Sequence, residues 1–312
     1  MKDWKRRYIG IKMNISKDKK YIICSGCSFT NLKPLNHLQK GNDRESWQWP
    51  EWLQYKLGED FIVLNLGNPT NDNNTIKRTI TYWVEHIKKN GGTIHKVFAQ
   101  WTQPYRSSFL ITDYKGELET GSHTNNYLPN PIEYKDEFWF LTGGYYEVNN
   151  SKYIGIDNIL KTHHLKLSKQ HSYSFIETVI DLSNYLDRET IDYNYFTIKD
   201  IFYEPEFFTV NVYDGEIWLN EGLDYHYNQS KFFSIYLDKV PFHKFWFYED
   251  EGLKKGGLYE YSIKKQKDLD NYSGLKKVLF SENLSGEYDW FGHPSSVLNK
   301  KFVNEELIKF IL

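Results

Sequence analysis

A serine that follows a short apolar run is the first candidate for chemistry in this chain. The run 21–25 is rich in β-branched residues, breaks at Gly26, and is followed by Ser28. This pattern is typical of a buried strand that continues into a loop at the carboxyl edge of a sheet. Serine is a weak nucleophile at its ordinary pKa and needs an adjacent base. A site at Ser28 therefore requires a partner from elsewhere in the sequence.

Candidate partners stand near the end of the chain. Asp289 and His293 come shortly before a segment, 296–312, with helical periodicity. A histidine can take the serine proton and return it to a leaving group, and an aspartate can hold the imidazole tautomer. Taken singly, Ser28 and His293 are more typical of a turn serine and a surface histidine, and Asp289 is equally typical of a residue that caps a turn. Their order along the chain favours one hydrolytic site.

The elements that would position these residues alternate between strand and helix. The predicted order is a strand at about 20–25, a helix at 46–58, a strand at 61–67, a helix at 75–90 and a strand at 94–100. Pro50 suits a first helical position, and Gly58 suits the cap past the helix end. Alternation at this spacing predicts a parallel sheet with right-handed crossovers.

The remaining sequence is less regular. Residues 156–188 look helical, 191–198 resemble a fourth sheet strand, and 296–312 resemble a closing helix. The segments 107–150 and 200–285 have no sustained period, and we interpret them as loop and β insertions, the first with a possible hairpin. The whole chain, 1–312, is predicted to form one α/β domain.

Composition excludes several classes of protein. The formal net charge is -2 over 312 residues, so the chain lacks the overall positive charge that is typical of nucleic-acid-binding proteins. No apolar run has the length of a signal-peptide core or a membrane span, and two cysteines cannot form a disulfide framework. We therefore expect a protein folded in the cytoplasm, with carriage on a virus particle or release by lysis left open.

This layout resembles the SGNH (GDSL-like) hydrolase superfamily, particularly its divergent phage and environmental members. Residues 26–29 resemble the nucleophile block, which implies that Ser28 is the nucleophile. Residues 65–73 fall at the family's glycine block, which implies Gly67 as an oxyanion donor, and Asp289 with His293 falls at the Asp/His block. The resemblance covers roughly 18–106, 160–200 and 286–312. It implies a three-layer, flavodoxin-like fold without a cofactor or metal.

Three features depart from the family pattern. Asp289 and His293 are four positions apart rather than three, and no glycine stands near Thr70. After the third strand, the segment 101–106 reads Trp-Thr-Gln-Pro-Tyr-Arg instead of Gly-x-Asn-Asp. The side chain that completes the oxyanion hole therefore has four candidates: Asn71, Asn73, Thr102 and Gln103.

Arg106 lies at the same predicted edge and has two interpretations. It could clamp a carboxylate or phosphate of the substrate, or it could form a structural salt bridge. The sequence favours neither.

The function predicted from these residues is that of a serine esterase, with O-deacetylation of a carbohydrate as the preferred reaction. The substrate would be a small-molecule or glycan ester; neither a membrane nor nucleic acid is an expected partner. Three alternatives remain: an acyltransferase using the same site, a non-catalytic protein that binds a glycan, nucleotide or virion component, and an enzyme directed at nucleotides or phosphates.

Other chemically suggestive residues are assigned structural roles. Cys24 and Cys27 have the spacing of a redox or metal motif, but Cys24 lies inside the predicted strand, so buried apolar filling is preferred. The histidines His163, His164 and His171 are predicted to be exposed. Three tryptophans, Trp47, Trp49 and Trp52, fit a core helix better than a sugar-binding platform.

Overall fold

The computed structural model describes residues 14–30, 47–68, 71–104, 106–111, 138–142, 168–198, 201–202, 206–213, 216–221, 231–250, 252–254, 256–262, 264–265 and 294–311. Asp289 and His293 lie outside these residues, as do His163, His164 and residues 156–167 of the predicted third helix.

A four-stranded parallel sheet forms the centre of the fold. Its strands are β1 (Lys20–Ser25), β2 (Phe61–Asn65), β3 (Thr93–Trp101) and a fourth strand, Tyr193–Thr197, which is the sixth in chain order and is called β6. The spatial order is β2-β1-β3-β6, and every neighbouring pair is parallel. The predicted α/β class and the four strand positions are confirmed.

Helices cover both faces of this sheet. The crossover helices are α1 (Trp49–Leu57) and α2 (Asn73–Lys89), followed by α3 (Ser168–Arg188). A short helix, α4 (Lys231–Leu237), and the closing helix, α5 (Ser296–Glu305), come later in the chain. The closing helix is continued by a 3-10 turn, Leu307–Phe310.

The alternation of side chains along β1 shows which helices cover which face. Tyr21 and Ile23 pack with the apolar residues of α2 and α3. Ile22 and Cys24 point to the opposite face and pack with α1 and α5. Successive residues of a strand face opposite sides, so a strand buried on both faces reads as a continuous apolar run. The chain moves from β1 to β2 over one face and back to β3 over the other, so both crossovers have the same hand.

The predicted segments outside the sheet contain three antiparallel strand pairs among the described residues. The strands β4 (Ser107–Ile111) and β5 (Phe138–Thr142) pair within the first predicted insertion. In the second, β7 (Glu206–Tyr213) pairs with β8 (Glu216–Glu221), and β9 (Glu249–Asp250) pairs with β10 (Leu253–Lys254). The interpretation of both segments as containing β structure is confirmed to that extent. None of the described helices is long and apolar enough to cross a membrane.

Two details of the sequence interpretation need adjustment. The first helix begins at Trp49, so Pro50 occupies the second helical position rather than the first. His171 is buried, with 5% of its surface exposed, and the prediction that it is exposed is wrong. The reason is its phase: His171 shares the inward face of α3 with Phe175 and Val179, which are four and eight positions further along.

The tryptophans of α1 behave as a core helix requires. Trp49 is fully buried and packs edge-to-face on Phe98 and Phe196 of the sheet. Trp52 is also buried, whereas Trp47 is half-buried and contacts Trp52 at a ring separation of 4.9 Å. The preference for a core role over a sugar platform therefore holds for Trp49 and Trp52.

Candidate active site

The loops after β1 and β3, which carry Ser28 and Thr102, lie where the chain reverses direction across the sheet. From β1 the chain goes to β2 on one side, and it then returns to β3 on the other side of β1. In open α/β sheets, ligands bind outside the carboxyl ends of the strands at such a switch point. Ser28 follows β1, and Thr102 follows β3, so both lie at the carboxyl edge of the two strands that flank this point.

The loop after β1 is a tight turn fixed by hydrogen bonds. The Thr30 N–H donates to the Cys27 carbonyl over 2.9 Å, and Ser28 lies between them with 8% of its surface exposed. The Thr30 hydroxyl donates to Gln100 Oε1 of β3 over 2.6 Å. This contact attaches the turn that carries Ser28 to the adjacent strand.

Gly26 is required by the close approach of these groups. A methyl group on its Cα would lie 2.1 Å from Thr30 Oγ1 and 2.8 Å from Gln100 Oε1. Both distances are shorter than any van der Waals contact, so a larger residue would displace the turn. The glycine in the predicted nucleophile block is therefore explained by packing.

The loop after β2 is attached to the same glycine. The Gly26 carbonyl accepts hydrogen bonds from the Asn68 N–H, at 3.1 Å, and from Asn71 Nδ2, at 2.9 Å. Asn71 is fully buried, and its Oδ1 lies 3.5 Å from Asn68 Nδ2. The Asn71 amide therefore holds two loops together, and one of its two N–H groups is used in doing so.

Asn73 has a comparable structural role at the start of α2. Its Oδ1 accepts from the Thr102 N–H at 2.9 Å, and its Nδ2 donates to the carbonyls of Thr102 and Gln103 at 3.1 and 3.3 Å. Both ends of the Asn73 side chain are thus used to fix the chain after β3.

The Gly67 N–H is also engaged. It donates to Asn65 Oδ1 at 3.2 Å, while Asn65 Nδ2 donates to the Thr30 carbonyl at 3.2 Å and to Glu51 Oε1 at 2.8 Å. An oxyanion at Gly67 would have to compete with Asn65. The predicted donor role of Gly67 thus stays a prediction, with Asn65 as its competitor.

A group of unpaired donors remains in the turn after β3. We call Thr102, Gln103 and Arg106 the donor cluster. Thr102 Oγ1, Gln103 Nε2 and Arg106 Nη1 are buried and have no hydrogen-bond partner among the residues that the structure describes. Buried polar groups are nearly always paired, so these three donors are candidates for contacts with a ligand that accepts hydrogen bonds.

The orientation of the Gln103 amide is fixed by its neighbour. Arg106 Nε donates to Gln103 Oε1 at 3.1 Å, and the Arg106 N–H closes the turn onto the Gln103 carbonyl at 3.2 Å. A guanidinium has only donors, so the atom it contacts must be the amide oxygen. Nε2 is then the unpaired end of Gln103, whose side chain is otherwise buried.

The start of α5 reaches the same edge of the sheet. Asn299 Nδ2 donates to the Pro294 carbonyl at 2.9 Å and to Gln48 Oε1 at 3.1 Å, and Trp52 Nε1 donates to Ser296 Oγ at 2.9 Å. Gln48 caps the N-terminus of α1, which lies at the carboxyl edge because the helix runs back from there towards the start of β2. Pro294, which follows His293 in the sequence, therefore lies at the same edge of the sheet as Ser28.

The two cysteines provide no reactive group in this conformation. Cys24 and Cys27 are free thiols, and both are buried. Burial raises the pKa of the Cys24 thiol well above its ordinary value, with the Glu51 carboxylate adding to the effect. A thiol with a raised pKa is a poor nucleophile, which agrees with the preferred filling role.

Sequence reasoning missed Gln100, Gln48 and Asn299. Gln100 ends the apolar run of β3, and Asn299 lies on the inward face of α5 next to Leu298 and Phe302. A polar residue inside an apolar pattern is the signal that could have found both, because such a residue is seldom buried without a specific partner.

Comparison with known proteins adds no assignment: no protein-family model, curated protein or solved structure matches this chain.

Proposed function

We propose that this protein is a serine esterase of the SGNH type that acts through an acyl-enzyme on Ser28. One observation carries the proposal: Asn299 attaches Pro294 to Gln48 at the carboxyl edge of the sheet, where the loop of Ser28 also lies. The residue next in sequence to the proposed base thus lies at the edge that the chemistry requires. The strand order and the helices on both faces also support a three-layer, flavodoxin-like architecture.

The reaction would follow the general course of serine acyl transfer. Ser28 Oγ attacks the ester carbonyl carbon while His293 takes the hydroxyl proton, and Asp289 holds the imidazole. Collapse of the tetrahedral intermediate breaks the bond to the alcohol oxygen, which receives the proton from His293. Water, activated by the same histidine, then attacks the acyl-serine and releases the carboxylic acid.

The donor for the developing oxyanion is assigned to Gln103 Nε2, with the Thr102 hydroxyl beside it in the sequence. Of the four candidate side chains, Asn73 donates both N–H groups to backbone carbonyls and Asn71 donates one, whereas the donors of Gln103 and Thr102 have no partner among the described residues. A donor already fixed in place costs no reorganisation when the oxyanion forms, and one such donor contributes about 2.7–4 kcal/mol. Arg106 acts as a positioning residue, since it holds the other end of the Gln103 amide.

The preferred substrate is an O-acetylated carbohydrate, and the segments 107–150 and 200–285 would form its pocket because loops at this edge determine specificity. If water is excluded from that pocket, the same acyl-enzyme would transfer its acyl group to an acceptor hydroxyl or amine.

A second candidate function is ligand binding without catalysis. It is favoured by the Gly67 N–H, which donates to Asn65 rather than standing free for an oxyanion.

Labelling with a fluorophosphonate probe separates the two. We expect the folded wild-type protein to be labelled at Ser28, located by peptide mass spectrometry, and Ser28→Ala to lose both labelling and hydrolysis of aryl acetates. Ser183→Ala is the matched control, because its buried hydroxyl bonds the Val179 carbonyl within α3 and lies away from the loop of Ser28. Absence of labelling in folded wild-type protein would leave the binding protein as the better description.

A further inference from the structure

The donor cluster points to the charge of the substrate. We propose that Arg106 binds an oxyanion group of the substrate, a carboxylate or a phosphate, next to the ester that reacts at Ser28. The inference rests on the proposed function for the reaction, but the anion site itself would exist in a binding protein as well.

The unpaired atoms of the donor cluster are hydrogen-bond donors. Gln103 Nε2 and Arg106 Nη1 can only donate hydrogen bonds, and the Thr102 hydroxyl can donate one. The side chains of Gln103 and Arg106 are in contact through Arg106 Nε, so a ligand that accepts hydrogen bonds from both must supply more than one acceptor. Carboxylate and phosphate groups do so, and their hydrogen bonds to charged donors are about twice as strong as neutral ones.

The positive charge of Arg106 has no carboxylate partner among the described residues. Its Nε is bonded to a neutral amide, Gln103, and no described carboxylate lies within ion-pair distance of its guanidinium. The structural salt bridge that the sequence left open is therefore not formed with any described residue. Arg106 is half-buried and its Nη1 is enclosed without a partner among the described residues, so a bound anion is the partner that we propose for it.

Backbone and side-chain hydrogen bonds hold the donor cluster in place. The turn from Gln103 to Arg106 is closed by a backbone hydrogen bond, and Asn73 fixes Thr102 and Gln103 through three more. Preorganised donors lose little entropy on binding, which favours recognition of a ligand over a fortuitous loop conformation. The same rigid turn presents Gln103, so a bound anion would set the position of the ester relative to the oxyanion donor.

The test compares a neutral ester with anionic ones. The neutral probe is 4-nitrophenyl acetate. The anionic probes are 4-acetoxybenzoate, which has a carboxylate on the leaving group, mono-4-nitrophenyl succinate, which has a carboxylate on the acyl group, and 4-acetoxyphenyl phosphate, which has a phosphate on the leaving group. For each, kcat/KM is divided by the rate of alkaline hydrolysis to correct for intrinsic reactivity. We expect at least one anionic ester to be preferred over the acetate by about 10-fold or more, and the ester that is preferred identifies the anion and its place.

The variants assign the preference to Arg106. Arg106→Met is expected to lower activity on all esters through Gln103, and to lower the ratio of anionic to neutral activity by about 10-fold in addition. Arg106→Lys should retain part of the ratio because it keeps the charge but loses the planar fork. Arg188→Met makes the same charge change at an exposed position at the far end of α3, and it should leave the ratio unchanged.

The outcomes separate this inference from the proposed function. An unchanged ratio in Arg106→Met, or a wild-type protein with no preference for any anionic ester, would overturn the anion site while leaving the esterase intact. The second comparison needs no variant, so it decides the matter even if Arg106→Met fails to fold.

If no ester is hydrolysed and Ser28 is not labelled, the esterase fails and the anion site is decided by binding. Inorganic phosphate and acetate would then be titrated by calorimetry against wild type and Arg106→Lys. Binding that weakens in the variant supports the site, and absence of binding by both anions to the wild type rejects it.

Discussion

Asn299 and Gln48 are 251 positions apart in the sequence, yet Asn299 Nδ2 donates to Gln48 Oε1 over 3.1 Å in the interior of the protein. The same nitrogen also donates to the carbonyls of Pro294 and Ser295. One amide therefore joins the start of α5 to the start of α1. On the other side, the Gln48 N–H donates to Glu51, whose second oxygen accepts from Asn65. This chain of bonds connects the segments before α5, after β1 and after β2.

Removal of that amide should destabilise the protein. In Asn299→Ala the Pro294 carbonyl and Gln48 Oε1 lose a buried partner, and we expect the free energy of unfolding to fall by about 1–3 kcal/mol. Urea denaturation measures the change. Asn90→Ala, which removes an exposed amide bonded to the His86 carbonyl, should cost less than about 1 kcal/mol. Equal losses in the two variants would show that the buried bond has no special weight.

The assignment of the oxyanion donor predicts a separation of activity from stability. Gln103→Glu keeps the acceptor for Arg106 but replaces the Nε2 donor with a negative charge. We expect kcat on aryl acetates to fall by about 100-fold or more, with a free energy of unfolding that is unchanged or higher because of the new ion pair with Arg106.

Asn73→Ala is the matched comparison for that prediction. It removes three hydrogen bonds to the turn after β3 and should lower the free energy of unfolding by about 1–3 kcal/mol. If Gln103→Glu retained full kcat, the donor would have to be sought among Thr102, Gly67 and the segments that approach from elsewhere.

The contact at Gly26 can be tested with a double-mutant cycle. Gly26→Ala places a methyl group against the Thr30 hydroxyl and the Gln100 side chain, so we expect it to cost about 1–3 kcal/mol. Thr30→Ala removes the atom with the shortest contact. The double variant should then be less destabilised than the sum of the two single variants, by roughly 1 kcal/mol. Strict additivity in urea unfolding would contradict the proposed clash.

A charged group at the opposite part of β3 predicts a pH dependence of stability. The Lys96 side chain is 3% exposed and pairs with Asp192, which also accepts from Lys244 at 3.1 Å. Burial acts to raise the pKa of Asp192, but the hydrogen bonds from the two lysines outweigh it and leave that pKa below its ordinary value. A carboxyl with a lowered folded-state pKa contributes stability above the unfolded-state pKa of about 3.9 and loses it as the pH falls through the folded-state pKa.

The variant Asp192→Asn should therefore cost about 1–3 kcal/mol at pH 7, since it leaves the Lys96 ammonium buried without its carboxylate. The cost should begin to shrink as the pH falls below the unfolded-state pKa of about 3.9, and it should vanish only below the lowered folded-state pKa, where the folded wild-type carboxyl is also protonated. Asp181→Asn, which breaks the exposed pair with Lys77 at 3.2 Å, is expected to change stability by less than about 0.5 kcal/mol at either pH. Chemical denaturation of the three proteins at both pH values distinguishes these expectations.

The sheet and its crossovers were accessible from the sequence because their signals are local. The apolar runs of β1, β2 and β3 and the 3.6-residue period of α2 depend only on neighbouring residues, and the predicted bounds differ from the observed ones by at most a few positions. The phase of α3 was less clear at its start, where His171 is polar but lies on the buried face. The residue type alone does not show whether a histidine in the first turn of a helix is buried or exposed.

The polar contacts of the site could be predicted only in part. The position of Ser28 after β1 followed from the strand and the glycine. Which of the four candidate side chains has an available donor could not be predicted from the sequence, because the answer depends on partners from three different loops. Asn71 and Asn73 resemble Gln103 in the sequence, and only the contacts to Gly26, Thr102 and Arg106 separate structural amides from an available one.

The crowding at Gly26 limits how this protein could diversify. Its carbonyl accepts hydrogen bonds from the loop after β2, and its Cα lies against the side chains of Thr30 and of Gln100 in β3, so the loops after β1 and β2 cannot be exchanged one at a time. Evolution, or an engineer who grafts this edge onto another scaffold, would have to transplant the loops as a set. New substrate preferences should consequently arise outside these inner turns, which themselves change little.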